Sequence, residues 1–251
     1  MIKLFRNIRK KLVSDKPSLS RTSNYLKYAI GEIVLVVIGI LIALQINNWN
    51  TERIGRQLEQ KYLKGLVEDI KFEWNSFEGG VINRFQKKID GLTLGKQYAL
   101  GRIAINDTAK FIQKVGLGGA FSRGSNLTSN TTFQELISTG NLKLVKNESL
   151  KKEILNYYGM REFLIEYTEN LRTDYATFNN SMVPYDPAGT NQLDSLDFKR
   201  ILKNYKKEEF LKLVNQELTF GYSIKYRIEN LSKMGKELVN NIEVELKDSN
   251  D

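Results

Sequence analysis

Between Tyr28 and Ile46 the chain carries 19 residues with one charge, Glu32, and one amide, Gln45. Its middle, Ile33–Leu44 (IVLVVIGILIAL), has no polar side chain. A helix rises 1.5 Å per residue, so about 20 apolar residues cross the roughly 30 Å hydrocarbon layer of a bilayer. Twelve Ile, Leu and Val residues lie between Ile30 and Ile46. Each favours insertion by roughly 0.3–0.6 kcal/mol, about 4–7 kcal/mol together, against about 3 kcal/mol for a carboxylate at the helix centre. Glu32 sits near the entry end, within reach of headgroups, where its cost is smaller. The balance predicts a membrane helix over residues 28–46. A soluble buried helix and a cleaved secretory signal are the competing readings. Cleavage is disfavoured because the run ends Ala43-Leu44-Gln45-Ile46-Asn47, without a small-x-small site, and the region before it is long. The expectation is an uncleaved, single-pass signal anchor.

Charge sets the expected orientation. The net charge of +9 is concentrated in residues 1–27, which hold eight bases and one acid, Asp15. Residues 28–251 hold 30 bases and 28 acids. A basic flank of +7 before the span, and mixed charge after it, predicts a cytosolic N-terminus and an extracytoplasmic domain over 47–251. The rest of the chain is close to neutral and has no global field to draw in polyanions, so nucleic acid is not an expected partner. Tyr25, Tyr28 and Trp49 stand where interfacial aromatic anchors belong. The tail cluster Lys3, Arg6, Arg9, Lys10 and Lys11 suits anionic lipid or a cytosolic partner, or simply sets topology from the headgroups, with Ile2, Phe5, Ile8 and Leu12 opposite it on a helix.

The chain has no cysteine and no histidine. Disulfides and thiolate nucleophiles are excluded, as are a Ser-His-Asp triad, a histidine-ligated zinc site and a phosphorylatable histidine. No catalytic residue, metal or cofactor is assigned from the sequence.

Beyond the span an apolar stripe continues at helical spacing through Leu58, Tyr62, Leu66, Ile70 and Phe77, flanked by Leu63, Val67 and Trp74. It predicts one nearly continuous helix of about 50 residues from the span onward, broken at Gly79-Gly80. A second helix is expected over about Val81–Leu100, and a short one capped by Asp107 through Val115. Residues 116–130 (GLGGAFSRGSNLTSN) read as a loop. Thr132-Phe133-Gln134-Glu135 reads as a capping box and Gly140 as a C-cap around a two-turn helix. Asn147 is expected to cap a long helix running to about Met182, stopped by Pro184, followed by an irregular connection over 184–197. The last helix is expected over about Lys207–Lys247, with Ile224, Ile228, Leu231, Leu238 and Ile242 on its apolar face. The fold class is therefore all-α: an N-terminal transmembrane helix continuing into a stalk and an antiparallel helical bundle.

Two blocks, GEIVLVVIGILIALQINNWN (Gly31–Asn50) and TTFQELISTGNLKLVKNESLKKEILNYY (Thr131–Tyr158), resemble the signature of a Gram-negative bacterial family of unknown function. Its members have one N-terminal membrane span and a helical extracytoplasmic region. The similarity is strongest in these blocks and loose over 1–24, 116–130 and beyond Pro184. It implies the inner membrane and a periplasmic domain, and supplies no activity and no catalytic residues.

Several residues invite a functional reading beside a plainer one. Gly31, Gly39 and Ala43 share a face that lets two membrane helices approach closely, although small residues are common in single spans. Glu32 is either a polar contact for a partner helix or a carboxylate solvated by headgroups. The glycine-rich loop, assisted by Arg123, is a phosphate-cradle candidate, but it lacks both Gly-x-x-x-x-Gly-Lys-Ser/Thr and, because residue 121 is Phe, Gly-x-Gly-x-x-Gly. A connector is the simpler account. The carboxylate pairs Glu68-Asp69 and Glu208-Glu209 are adjacent on helices, so their side chains diverge by about 100° and fit solvated faces better than paired acid and base. The aromatic series Tyr157, Tyr158, Phe163, Tyr167, Tyr175 and Phe178 lines either a core or a ligand pocket facing the 116–130 loop.

The expected function is that of a non-enzymatic, membrane-anchored periplasmic module acting through a protein partner or a second copy of itself. The alternatives are a ligand-sensing bundle signalling through a partner, since the cytosolic segment is short, and more remotely a histidine-free hydrolase.

Overall fold

The computed structural model describes residues 21–117, 127, 130–168, 173–183 and 193–248. They fold into helices alone, with no strand among the described residues. The chain divides into two compact units, Met1–Leu58 and Glu59–Asp251. Helix α1 (Arg21–Ser76) contributes to both.

In the first unit the apolar stretch is helical and none of it is buried. Ile33, Val36, Leu41 and Ile46 are each more than half exposed. This helix is long and apolar enough to cross a membrane.

The second unit is built on the buried stripe of α1: Tyr62, Leu63, Leu66, Val67 and Ile70. Burying each Leu or Ile side chain of this kind stabilises the fold by about 1.5–3 kcal/mol. The expected break at Gly79-Gly80 does not occur. Residues Phe77–Val81 form a π-turn in which the Ile82 N–H donates to the Phe77 carbonyl, and the helix resumes as α2 (Ile82–Ala99). Glycine lowers helix propensity but does not end a helix whose neighbours on both sides are buried. Here Phe77 and Val81 supply that anchorage.

Helix α3 (Thr108–Gly116) starts at Asp107, whose carboxylate accepts from Lys110 N–H as expected. Helix α4 (Thr131–Ser138) departs from its expected capping box. Its N-cap, Asn130, makes no side-chain cap, and the Thr132 N–H donates instead to Asp69 of α1 at 3.2 Å. Glu135, freed from the box, accepts from the Tyr62 hydroxyl at 3.1 Å. A carboxylate brought from another helix has displaced the local cap. Gly140 closes α4 in the left-handed conformation (φ 68°), where glycine has no Cβ to clash.

Asn147 caps α5 (Glu148–Thr168) by accepting from the Ser149 and Leu150 N–H groups. The single helix expected to Met182 is in fact two. Thr173, in extended conformation, accepts from the Ala176 N–H and opens a separate α6 (Asp174–Asn180). A second unexpected helix, α7 (Ser195–Tyr205), begins within the stretch read as irregular. Asp194 and Asp197 form a capping box around its first turn. Finally α8 (Glu208–Asp248) runs the length of the unit.

The α8 stripe Val214, Glu217, Gly221, Ile224, Ile228, Leu231, Gly235, Leu238 and Ile242 is buried throughout. Its alternating three- and four-residue steps are the seven-residue repeat of coiled-coil packing. Contacts Lys71–Glu243, Glu78–Ser232 and Lys88–Glu217 show α8 running antiparallel to α1 and α2. Gly235 lets α8 approach closely, since a Cβ there would lie 3.0 Å from Ile70 Cγ2 and 3.2 Å from Tyr157 Cε2. Helix α5 lies parallel to α1, tied by Glu59–Lys146 and Glu73–Arg161. Farther along, α3, α6 and α7 close a second cluster of Ile89, Leu92, Phe111, Val115, Tyr175, Tyr205 and Phe210.

Candidate functional site

The residues singled out in the first unit stand in the open. Glu32, Gly39 and Ala43 are exposed and Tyr28 is partly covered. A Cβ at Gly39 would meet nothing within 4 Å. Trp49 is exposed, with the Arg53 guanidinium 5.7 Å from its ring. Trp49 thus presents an apolar ring beside a cation, the combination favoured where hydrocarbon meets headgroups.

In the second unit the aromatic series separates by depth. Tyr157 and Tyr158 are 2% and 5% exposed, so they are interior residues and present no surface. Tyr158 stacks on Phe133, centroids 3.8 Å apart. Tyr175 and Phe178 belong to the distal cluster around Phe210. Phe163 and Tyr167 lie at the surface of α5, where the Arg227 guanidinium of α8 covers both rings at 4.6 and 4.8 Å. Arg123 and most of the 116–130 loop lie outside the described residues. Of the carboxylate pairs, Glu68 is exposed and Asp69 holds α4, while Glu208 and Glu209 are both exposed.

Sequence reasoning missed the interior charges. Glu73, on α1, is 2% exposed and accepts from Arg161 Nε at 2.9 Å and from the Tyr157 hydroxyl at 2.7 Å. Burial, with the carboxylate beside it, raises the Tyr157 phenol well above its ordinary range. Lys88 and Glu217, 2% and 1% exposed, join α2 to α8 at 2.5 Å. A readable signal existed: each of these charges sits on an apolar stripe. Glu73 follows Ile70 by three, Lys88 follows Phe85 by three, Glu217 follows Val214 by three and Arg161 follows Tyr157 by four. Opposite charges on the buried stripes of separate helices imply pairing, because an unpaired interior charge is too costly.

These pairs are closed to solvent and hold helices together. No group of three or more acidic side chains suited to a metal occurs among the described residues. A cleft of about 340 Å³, lined by Asp107, Lys110, Ile112, Gln113, Leu193 and Phe198, lies between α3 and the start of α7.

These features define a class: a protein whose described residues are all-helical and include one N-terminal helix long and apolar enough to cross a membrane. The chain belongs to a family of unknown function, DUF6090, whose model matches residues 32–182. The match takes in most of the apolar segment and continues through α6. Searches of curated proteins and of solved structures return no match.

Proposed function

We propose that this protein is a single-span inner-membrane protein whose second unit stands in the periplasm and acts as a non-catalytic docking module for another protein. The observation that carries the anchoring is the bare apolar helix: twelve Ile, Leu and Val residues between Ile30 and Ile46 with none of the span covered. In water so large an apolar surface is a liability, and lipid is the solvent that suits it. The +7 segment before it supports a cytosolic N-terminus. A docking role is favoured over chemistry because the interior pairs Lys88–Glu217 and Glu73–Arg161 are engaged with each other, and histidine and cysteine are absent.

Two measurements test this. Full-length protein in native vesicles should resist extraction by alkaline carbonate, and protease added to spheroplasts should digest residues 59–251 while sparing the N-terminus. Release into the carbonate supernatant would refute the anchor; protection of the second unit would refute its placement. Crosslinking in intact cells should then capture one specific protein in stoichiometric yield, and its absence would refute the docking role.

A further inference from the structure

The π-turn at Phe77–Val81 carries more than a local irregularity. Along α1 and α2 the buried positions Glu73, Phe77, Val81 and Phe85 follow at intervals of four. In an unbroken α-helix a four-residue step overshoots a full turn by about 40°, so three such steps rotate the stripe by about 120°. The stripe would leave the interior. On either side the spacing is that of an ordinary helix: Tyr62, Leu66, Ile70 and Glu73 before the turn, and Phe85, Lys88, Leu92 and Gly95 after it. The excess is confined to the π-turn. It amounts to one residue, which is about 100° of helical rotation.

We infer that the Gly79-Gly80 turn is a one-residue insertion that re-phases the helix. It lets one continuous helical run present its buried face to α5 and α8 before the turn, and to α8, α3 and the distal cluster after it. Removing one residue between Phe77 and Val81 turns the interval series from Glu73 to Lys88 into four, three, four and three, which a plain α-helix satisfies. Gly79 and Gly80 are exposed, and a Cβ at either would meet nothing within 4 Å, so taking one away removes no packing contact. The same deletion elsewhere in the run has no insertion to cancel and must turn one part of the stripe outward.

The test is a set of single-residue deletions in the full-length protein in detergent micelles, followed by thermal melts read as helical circular dichroism. Deletion of Gly80 is compared with deletion of Lys64 and of Lys87, exposed positions on α1 and α2. The Gly80 deletion should melt cooperatively within about 5 °C of the parent, whereas each control should fall by more than about 10 °C or lose its cooperative transition. If the Gly80 deletion is as damaging as the controls, or if the controls are tolerated equally well, the inference is wrong.

Discussion

Replacing Lys88 by Met removes the ammonium that pairs with the Glu217 carboxylate, 1% exposed, in the interior. Breaking a buried pair from one side costs about 3–5 kcal/mol, because the remaining charge is desolvated without compensation. In a body the size of the second unit each kcal/mol shifts the melting midpoint by about 2–4 °C, so Lys88→Met should lower it by about 6–20 °C. Glu217→Leu, which removes the other half of the pair, should do the same. If the two costs were independent, the double substitution would lose about 6–10 kcal/mol. Lys88→Met/Glu217→Leu should instead lie within about 2 kcal/mol of the parent, since apolar side chains of similar volume refill the site with no charge to solvate. Urea unfolding of the four proteins in the same detergent gives the coupling energy directly, expected at about 4 kcal/mol or more. Single variants costing under about 1 kcal/mol, or a double variant costing the sum, would refute the view that α2 and α8 are held by a desolvated pair.

Gly91→Ala should be among the worst small substitutions, because its Cβ would lie 2.1 Å from the Lys114 carbonyl oxygen and the α3 backbone must retreat. A loss of about 2–4 kcal/mol is expected in urea unfolding. Gly79→Ala/Gly80→Ala should raise stability by about 0.5–1 kcal/mol per site, as both positions have helical space and gain helix propensity. Tyr157→Phe removes the hydroxyl that Glu73 accepts from and should cost about 1–3 kcal/mol, readable in the same unfolding curves. Burial raises the phenols of Tyr157, Tyr158, Tyr175 and Tyr205. The unfolded chain loses these protons near pH 10 while the folded chain keeps them, so stability should fall as pH rises above about 10. Absorbance at the tyrosinate band should show a fraction of tyrosines ionising only together with unfolding; a single smooth titration near pH 10 would contradict it.

The sequence by itself determined the helical class, the apolar segment over residues 28–46, and two of the local caps, whereas the equally local caps at Thr173 and Asp194 were not among those expected. Asp107 and Asn147 hold their first turns as expected, and Ile224, Ile228, Leu231, Leu238 and Ile242 of the α8 stripe are buried as expected, because a cap or a 3.6-residue period is a property of neighbours in sequence. Tertiary structure decided where a distant group overrode a local signal. Asp69 caps α4 in place of the Thr132–Glu135 box. Burial of Phe77 and Val81 carries the helix through two glycines. The interior charges were legible one by one as polar residues on apolar stripes. Which acid met which base was not, since Lys88 and Glu217 are 129 positions apart and only the antiparallel seating of α8 brings them together.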